Sequence, residues 1–166
     1  MSATAQISLQ DYLETEFEDR APEFVDGELV ERPMTSFQHG ETLIAFGALL
    51  RGAGKEHSLF VSGEAGMRVS PDRVRIPDVA VFQGARPTSR YPEHPPLLIV
   101  EIRSPSDTLK VLRQRIREFL DWGVRHIWLA DPETRELFIV TASDIRQVPA
   151  LELPDYGLRI TPDDVF

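Results

Sequence analysis

The chain has no cysteine among its 166 residues. That absence excludes a disulfide framework, a thiolate metal centre and a cysteine nucleophile. Lysine is nearly absent as well: Lys55 and Lys110 stand against sixteen arginines. Basic chemistry must therefore be carried by guanidinium groups, which bind anions well but do not give up a proton as a base. No apolar run approaches the ~20 residues of a membrane span. The opening stretch MSATAQISLQ lacks the basic and apolar regions of a signal peptide, so the expectation is a cytoplasmic protein without a membrane partner. A net charge of −9 argues against a protein that coats nucleic acid non-specifically.

What is present fits one soluble domain spanning residues 1–166, with 42% hydrophobic and 27% charged residues. The charge is unevenly spread. Residues 1–31 hold nine acids and one arginine, and residues 131–166 hold eight acids and three arginines. Between them, residues 65–92 sum to +3 and residues 101–125 to +2. The middle of the chain is locally basic. A solvated surface is the plainer explanation and an anion-binding face the sharper one.

Hydropathy patterning predicts an alternation of short strands and helices. Ser8, followed three residues later by Asp11, predicts a capped short helix. Phe24–Val25, Asp26–Gly27 and Leu29–Val30 predict a hairpin. A helix is expected over 37–51, ending near Gly52 and Gly54, and strands at 59–62, 66–70, 78–82, 97–103, 126–130 and 137–141. The clearest helix spans 107–123. Leu109, Leu112, Ile116, Phe119 and Leu120 fall on one face, Ser106 or Asp107 can cap the start, and Gly123 suits a left-handed end. With strands 97–103 and 126–130 this helix makes a β–α–β unit with parallel strands. The fold class is α/β or α+β, built on a mixed sheet flanked by helices.

One stretch carries most of the functional signal: LLIVEIRSPSD, residues 97–107. Four apolar residues run into Glu101 and Arg103, which share a face because side chains repeat every second residue in a strand. A structural ion pair is the common origin of such a pattern. The alternative is a site at the strand's carboxyl end. Pro77–Asp78 opens another strand, and carboxylates from two strands can hold Mg²⁺ or Mn²⁺. Such a site could polarise a phosphodiester, with Arg103 supplying positive charge. Arg115 lies on the flank of helix 107–123, from which a long side chain can reach back to the strand ends.

The order of an Asp-Gly-Glu hairpin, a His entering a helix, Pro77–Asp78, IVEIRSPSD, a helix and GVRHIWLADP resembles the Uma-two family, from about residue 8 to the tail LELPDYGLRITPDDVF. The resemblance implies a restriction-endonuclease-like fold of the PD-(D/E)XK nuclease superfamily and metal-dependent hydrolysis of nucleic acid, DNA ahead of RNA. It also implies a homodimer as the default assembly. By position it implies Asp78 and Glu101 as metal carboxylates, with Arg103 at the motif's lysine position. Arg115 stands at the helix lysine used by many members, and Glu28 and His39 are the upstream acid and the helix-entry histidine. Neither lysine position holds a lysine. Two other classes leave the same pattern: an inactive nuclease-fold protein that binds nucleic acid or a protein partner, and a structural homodimer with an internal polar network.

Overall fold

The computed structural model describes residues 6–105 and 107–166. Ser106, one of the two expected caps, lies outside them. The chain begins with α1 (Leu9–Glu14), whose first turn is closed by the Asp11 N–H donating to Ser8 Oγ at 3.1 Å. A hairpin follows, β1 (Glu23–Val25) and β2 (Glu28–Val30). Its two turn residues, Asp26 and Gly27, have φ of 52° and 87°, the paired positive values that a tight hairpin turn requires. Next come α2 (Phe37–Gly54), β3 (Leu59–Gly63), β4 (Met67–Ser70), β5 (Arg73–Arg75), β6 (Val79–Gln83) and β7 (Leu98–Ile102).

The expected long helix is α3 (Leu109–Trp122), leading into β8 (His126–Asp131) and β9 (Glu136–Val140). Its cap is Thr108 rather than Asp107, because Asp107 is turned back to accept the Ser104 N–H at 2.7 Å. Gly123 ends α3 in the left-handed region at φ 109°, as its position predicts. The chain closes with β10 (Ile145–Val148), β11 (Leu151–Leu153), β12 (Leu158–Ile160) and α4 (Pro162–Val165).

Six strands form the main sheet in the order β10-β9-β8-β7-β6-β3. Within it β7 and β8 are parallel, with α3 as their crossover, and the other pairings are antiparallel. A second, antiparallel sheet has the order β2-β1-β5-β4, and β11–β12 form a ribbon. The architecture is a mixed α+β one, as expected. No described helix is long and apolar enough to cross a membrane.

The main sheet is covered on both faces, so β7 is buried at every residue. Leu98, Val100 and Ile102 join the core beneath α2, with Phe46, Leu50, Val79 and Trp128. Ile99 faces the other way, with Leu112, Ile116 and Phe119 of α3. Strand alternation therefore sends Glu101 to the α3 side. In β6, Val79 and Val81 belong to the α2 core and Ala80 and Phe82 to the α3 core, so Asp78, one residue before the strand, shares Glu101's side. The segments not anticipated are β5, β10, β11, β12 and α4. They run three or four residues each, too short to show a period, and Arg73-Val74-Arg75 is two-thirds charge.

Candidate active site

Asp78 and Glu101 meet where the two sheets and α3 converge. The register of β6 and β7 pairs Val79 with Val100, which puts Asp78 and Glu101 across from one another at the strand ends. Asp78 is held from two sides. Its Oδ2 accepts the Ile102 N–H at 2.7 Å, and its Oδ1 lies 3.1 Å from His39 Nε2 in the first turn of α2. The Nδ1 of the same imidazole is buried without a hydrogen-bond partner. Asp78 and Glu101 are both nearly buried, at 7% and 6% exposure.

Arg115 takes the position that its place on the α3 flank predicts. Its Nη2 lies 3.2 and 3.3 Å from the two carboxylate oxygens of Glu101 and donates to the Ile76 carbonyl at 3.3 Å. Its Nη1 lies 2.9 Å from Glu23 Oε1. Burial opposes the charge on this guanidinium, but Glu101, Glu23 and Asp78 outweigh it and raise the pKa above the ordinary arginine value. Arg115 is thus a permanent cation, in contact with Glu101 and Glu23 and within the field of Asp78.

Glu23 is the acid that sequence reasoning missed. It sits on β1, paired on one side with β2 and on the other with β5, and is 2% exposed. The Ile76 N–H donates to its Oε1 at 2.8 Å, and Arg75 Nη1 approaches its Oε2 at 2.7 Å. Arg75 also forks onto Glu118 of α3, through Nε at 2.6 Å and Nη2 at 3.0 Å. This clamp ties the small sheet to α3 and fixes the angle at which Glu23 meets Arg115. The available signal was Glu23 itself, a charge in the otherwise apolar Ala21-Pro22-Glu23-Phe24-Val25. Removing one partner from a buried ion pair is strongly destabilising, so Arg75→Ala is expected to cost about 3–5 kcal/mol. A urea midpoint measures it.

Two expected members lie elsewhere. Glu28 is exposed on β2, the outer strand of the small sheet, and does not line the cleft. The hairpin register pairs Glu28 with Val25 beside the turn and Glu23 with Val30 at the other end, so it is the Glu23 end that meets the cleft. Arg103 lies just beyond the end of β7 and pairs with Asp131 at 2.6 Å, across the parallel ladder in which its N–H reaches the Ala130 carbonyl. It opens onto a separate cleft with Ser36 and Gln38, and its side chain is 39% exposed. The Glu101–Arg103 pairing suggested by their spacing is therefore not formed: Asp131 is the nearer acid once β7 and β8 are in register. Arg103→Ala is expected to alter any nuclease rate far less than the ~100-fold of losing a charge stabiliser beside the reacting phosphate. Single-turnover kinetics of the variant would show it.

Glu23, His39, Asp78, Glu101 and Arg115 line one cleft of ≈130 Å³. Burial pushes Glu101 up to about 8; Arg115 works against the rise, and the charges of Asp78 and Glu23 add to it. A carboxyl that would otherwise hold a proton, next to a second carboxylate in a polar cleft, is a donor set suited to a hard divalent cation. Among the described residues no group of three or more His, Cys, Asp or Glu side chains is arranged to hold a metal ion. An ion here would rest on Asp78 and Glu101 and keep most of its ligands as water or substrate oxygen, the habit of magnesium.

The sequence profile of the Uma2 family, described as putative restriction endonuclease, matches residues 9–165. A crystal structure of a putative nuclease belonging to DUF820 from Anabaena variabilis ATCC 29413 is similar at a TM-score of 0.82 and 19% identity, over 96% of this chain and 97% of that one. At that identity the likeness is one of fold. A DrdV–DNA complex solved by cryoEM overlaps at a TM-score of 0.39 and 16% identity, over 74% of this chain and 10% of that one. No curated protein matches significantly.

Proposed function

The chain belongs to the Uma2 family, and on that footing we propose that it is a nuclease that hydrolyses phosphodiester bonds of DNA with Mg²⁺ or Mn²⁺ at Asp78 and Glu101. The observation that carries this reading is the convergence of two near-buried carboxylates from adjacent strands with a guanidinium that touches one of them inside a single cleft. A purely structural network has no need of an opening at that point.

Each residue has a task that its surroundings suit. Asp78 is oriented through both of its oxygens, by His39 on one and the Ile102 N–H on the other. Glu101 completes the pair and must release its proton for the cation to be held. The ion, when bound, would polarise the scissile phosphate and lower the pKa of an attacking water. Arg115 offers positive charge to the phosphate oxygens as negative charge builds on them. It cannot take the water's proton, because a guanidinium with carboxylate neighbours stays protonated. Glu23 holds the other side of that guanidinium and limits where it can point.

Metal binding can be tested without activity. Magnesium or manganese is expected to raise the melting temperature of the wild-type chain in proportion to the logarithm of its concentration above Kd. Asp78→Asn and Glu101→Gln are expected to lose that rise. A wild-type melting temperature indifferent to both ions would sink the metal site.

A further inference from the structure

α2 is an 18-residue helix with apolar residues on both of its faces, yet the chain covers only one. The inner face buries His39, Thr42, Phe46 and Leu50 against the main sheet. The outer face presents Phe37, Ile44 and Ala48, separated by seven and four residues and so aligned along the helix. Phe37 is 78% exposed and Ile44 71%. Gly40 and Gly47 flank this strip, and a Cβ at either would meet nothing within 4 Å, so a neighbouring backbone could come close there. A surface helix ordinarily turns a charged or polar face to water; one that is apolar all round is ordinarily buried all round.

The strip carries only two charges between Phe37 and Gly54, Glu41 and Arg51. Neither has an ion-pair partner among the described residues. They differ in sign and stand ten residues apart, about 15 Å along the helix. We infer that a second copy of this chain covers the strip, its α2 running antiparallel across a two-fold axis near the level of Phe46. In that register Glu41 faces the partner's Arg51, Arg51 faces the partner's Glu41, and Ile44 packs on the partner's Ala48. The two-fold makes the contact self-complementary: one helix carries both halves of each ion pair. Phe37 then lies over the aliphatic stem of the partner's Lys55, an arrangement that removes the most exposed aromatic of the helix from water. A partner of uniform charge would satisfy one of the two charges and oppose the other, whereas a second copy satisfies both. This surface is independent of the nuclease reading.

Sedimentation equilibrium of the full chain is the test, with circular dichroism checking the fold of each variant. The wild type is expected to be a dimer at micromolar concentration. Ile44→Glu is expected to be a folded monomer, since the residue touches solvent rather than the core. Glu41→Arg or Arg51→Glu alone sets two like-charge contacts across the axis and is expected to weaken dimerisation on the order of 10-fold or more. The double variant Glu41→Arg/Arg51→Glu reverses both halves and is expected to recover most of the wild-type affinity. A wild-type monomer, or a dimer that Ile44→Glu leaves intact, overturns the assignment of this face. A double variant no tighter than the singles overturns the antiparallel register.

Discussion

Glu101→Gln is expected to give a folded protein that no longer cuts any DNA or RNA substrate that the wild type cuts in Mg²⁺ or Mn²⁺. The amide keeps the shape of the carboxyl but not the charge that holds the cation, so the loss is chemical rather than architectural. The structure adds a control. Burial drives the Glu101 pKa from its ordinary value near 4.5 up to about 8. A carboxyl raised in this way contributes stability that is complete below 4.5 and is lost as the pH rises through about 8, because the folded state binds the proton that the unfolded chain has already released. Without metal, the wild type should therefore lose stability across that interval. Glu101→Gln, which imitates the protonated form, should be flatter over it. Thermal melts at pH 5, 7 and 8.5 with a chelator read the difference. If wild type and variant cut equally well, the nuclease reading fails at its centre. If neither cuts and neither responds to metal, the cluster is a buried ionic network on a nuclease fold.

The second large effect belongs to Arg115. Arg115→Ala is expected to lower the cleavage rate on the order of 100-fold, the loss typical of removing one preorganised charge stabiliser. It also leaves Glu23 and Glu101 facing each other without their shared cation. The melting temperature should fall too, and part of that fall should be recovered at low pH as the carboxyls take up protons. Arg115→Lys keeps a positive charge at the end of a flexible stem, but not the planar fork that reaches both acids at once. It is expected to retain or exceed the wild-type rate while recovering less of the stability than of the activity. The two readouts separate the contact that the structure shows, Arg115 between Glu23 and Glu101, from the proposed role of meeting phosphate during hydrolysis. Equal rates for wild type and Arg115→Ala would remove Arg115 from the catalytic group and leave it a structural bridge.

Much of this was legible in the residues alone. Strand alternation separated Glu101 from Val100 and Ile102, and the α3 periodicity of Leu112, Ile116 and Phe119 set Arg115 on the flank that faces the strand ends. Gly123 and the Asp26–Gly27 turn announced their own positive φ. These are short-range properties: a period of two or 3.6, or a residue whose backbone tolerates one conformation better than its neighbours do. Which charges pair is a different matter, because it depends on neighbours distant in the chain. Arg103 lost Glu101 to Asp131, twenty-eight residues on, only when β8 aligned beside β7. Glu23 displaced Glu28 because β1, and not β2, lies against β5, a strand too short and too charged to be read from its sequence. The sequence by itself thus determined the main elements, the faces of Asp78 and Glu101, and the reach of Arg115. The tertiary structure decided the Glu23–Arg75–Glu118 clamp and the partner of Arg103, since Coulomb interactions follow distance in space and strand order sets that distance.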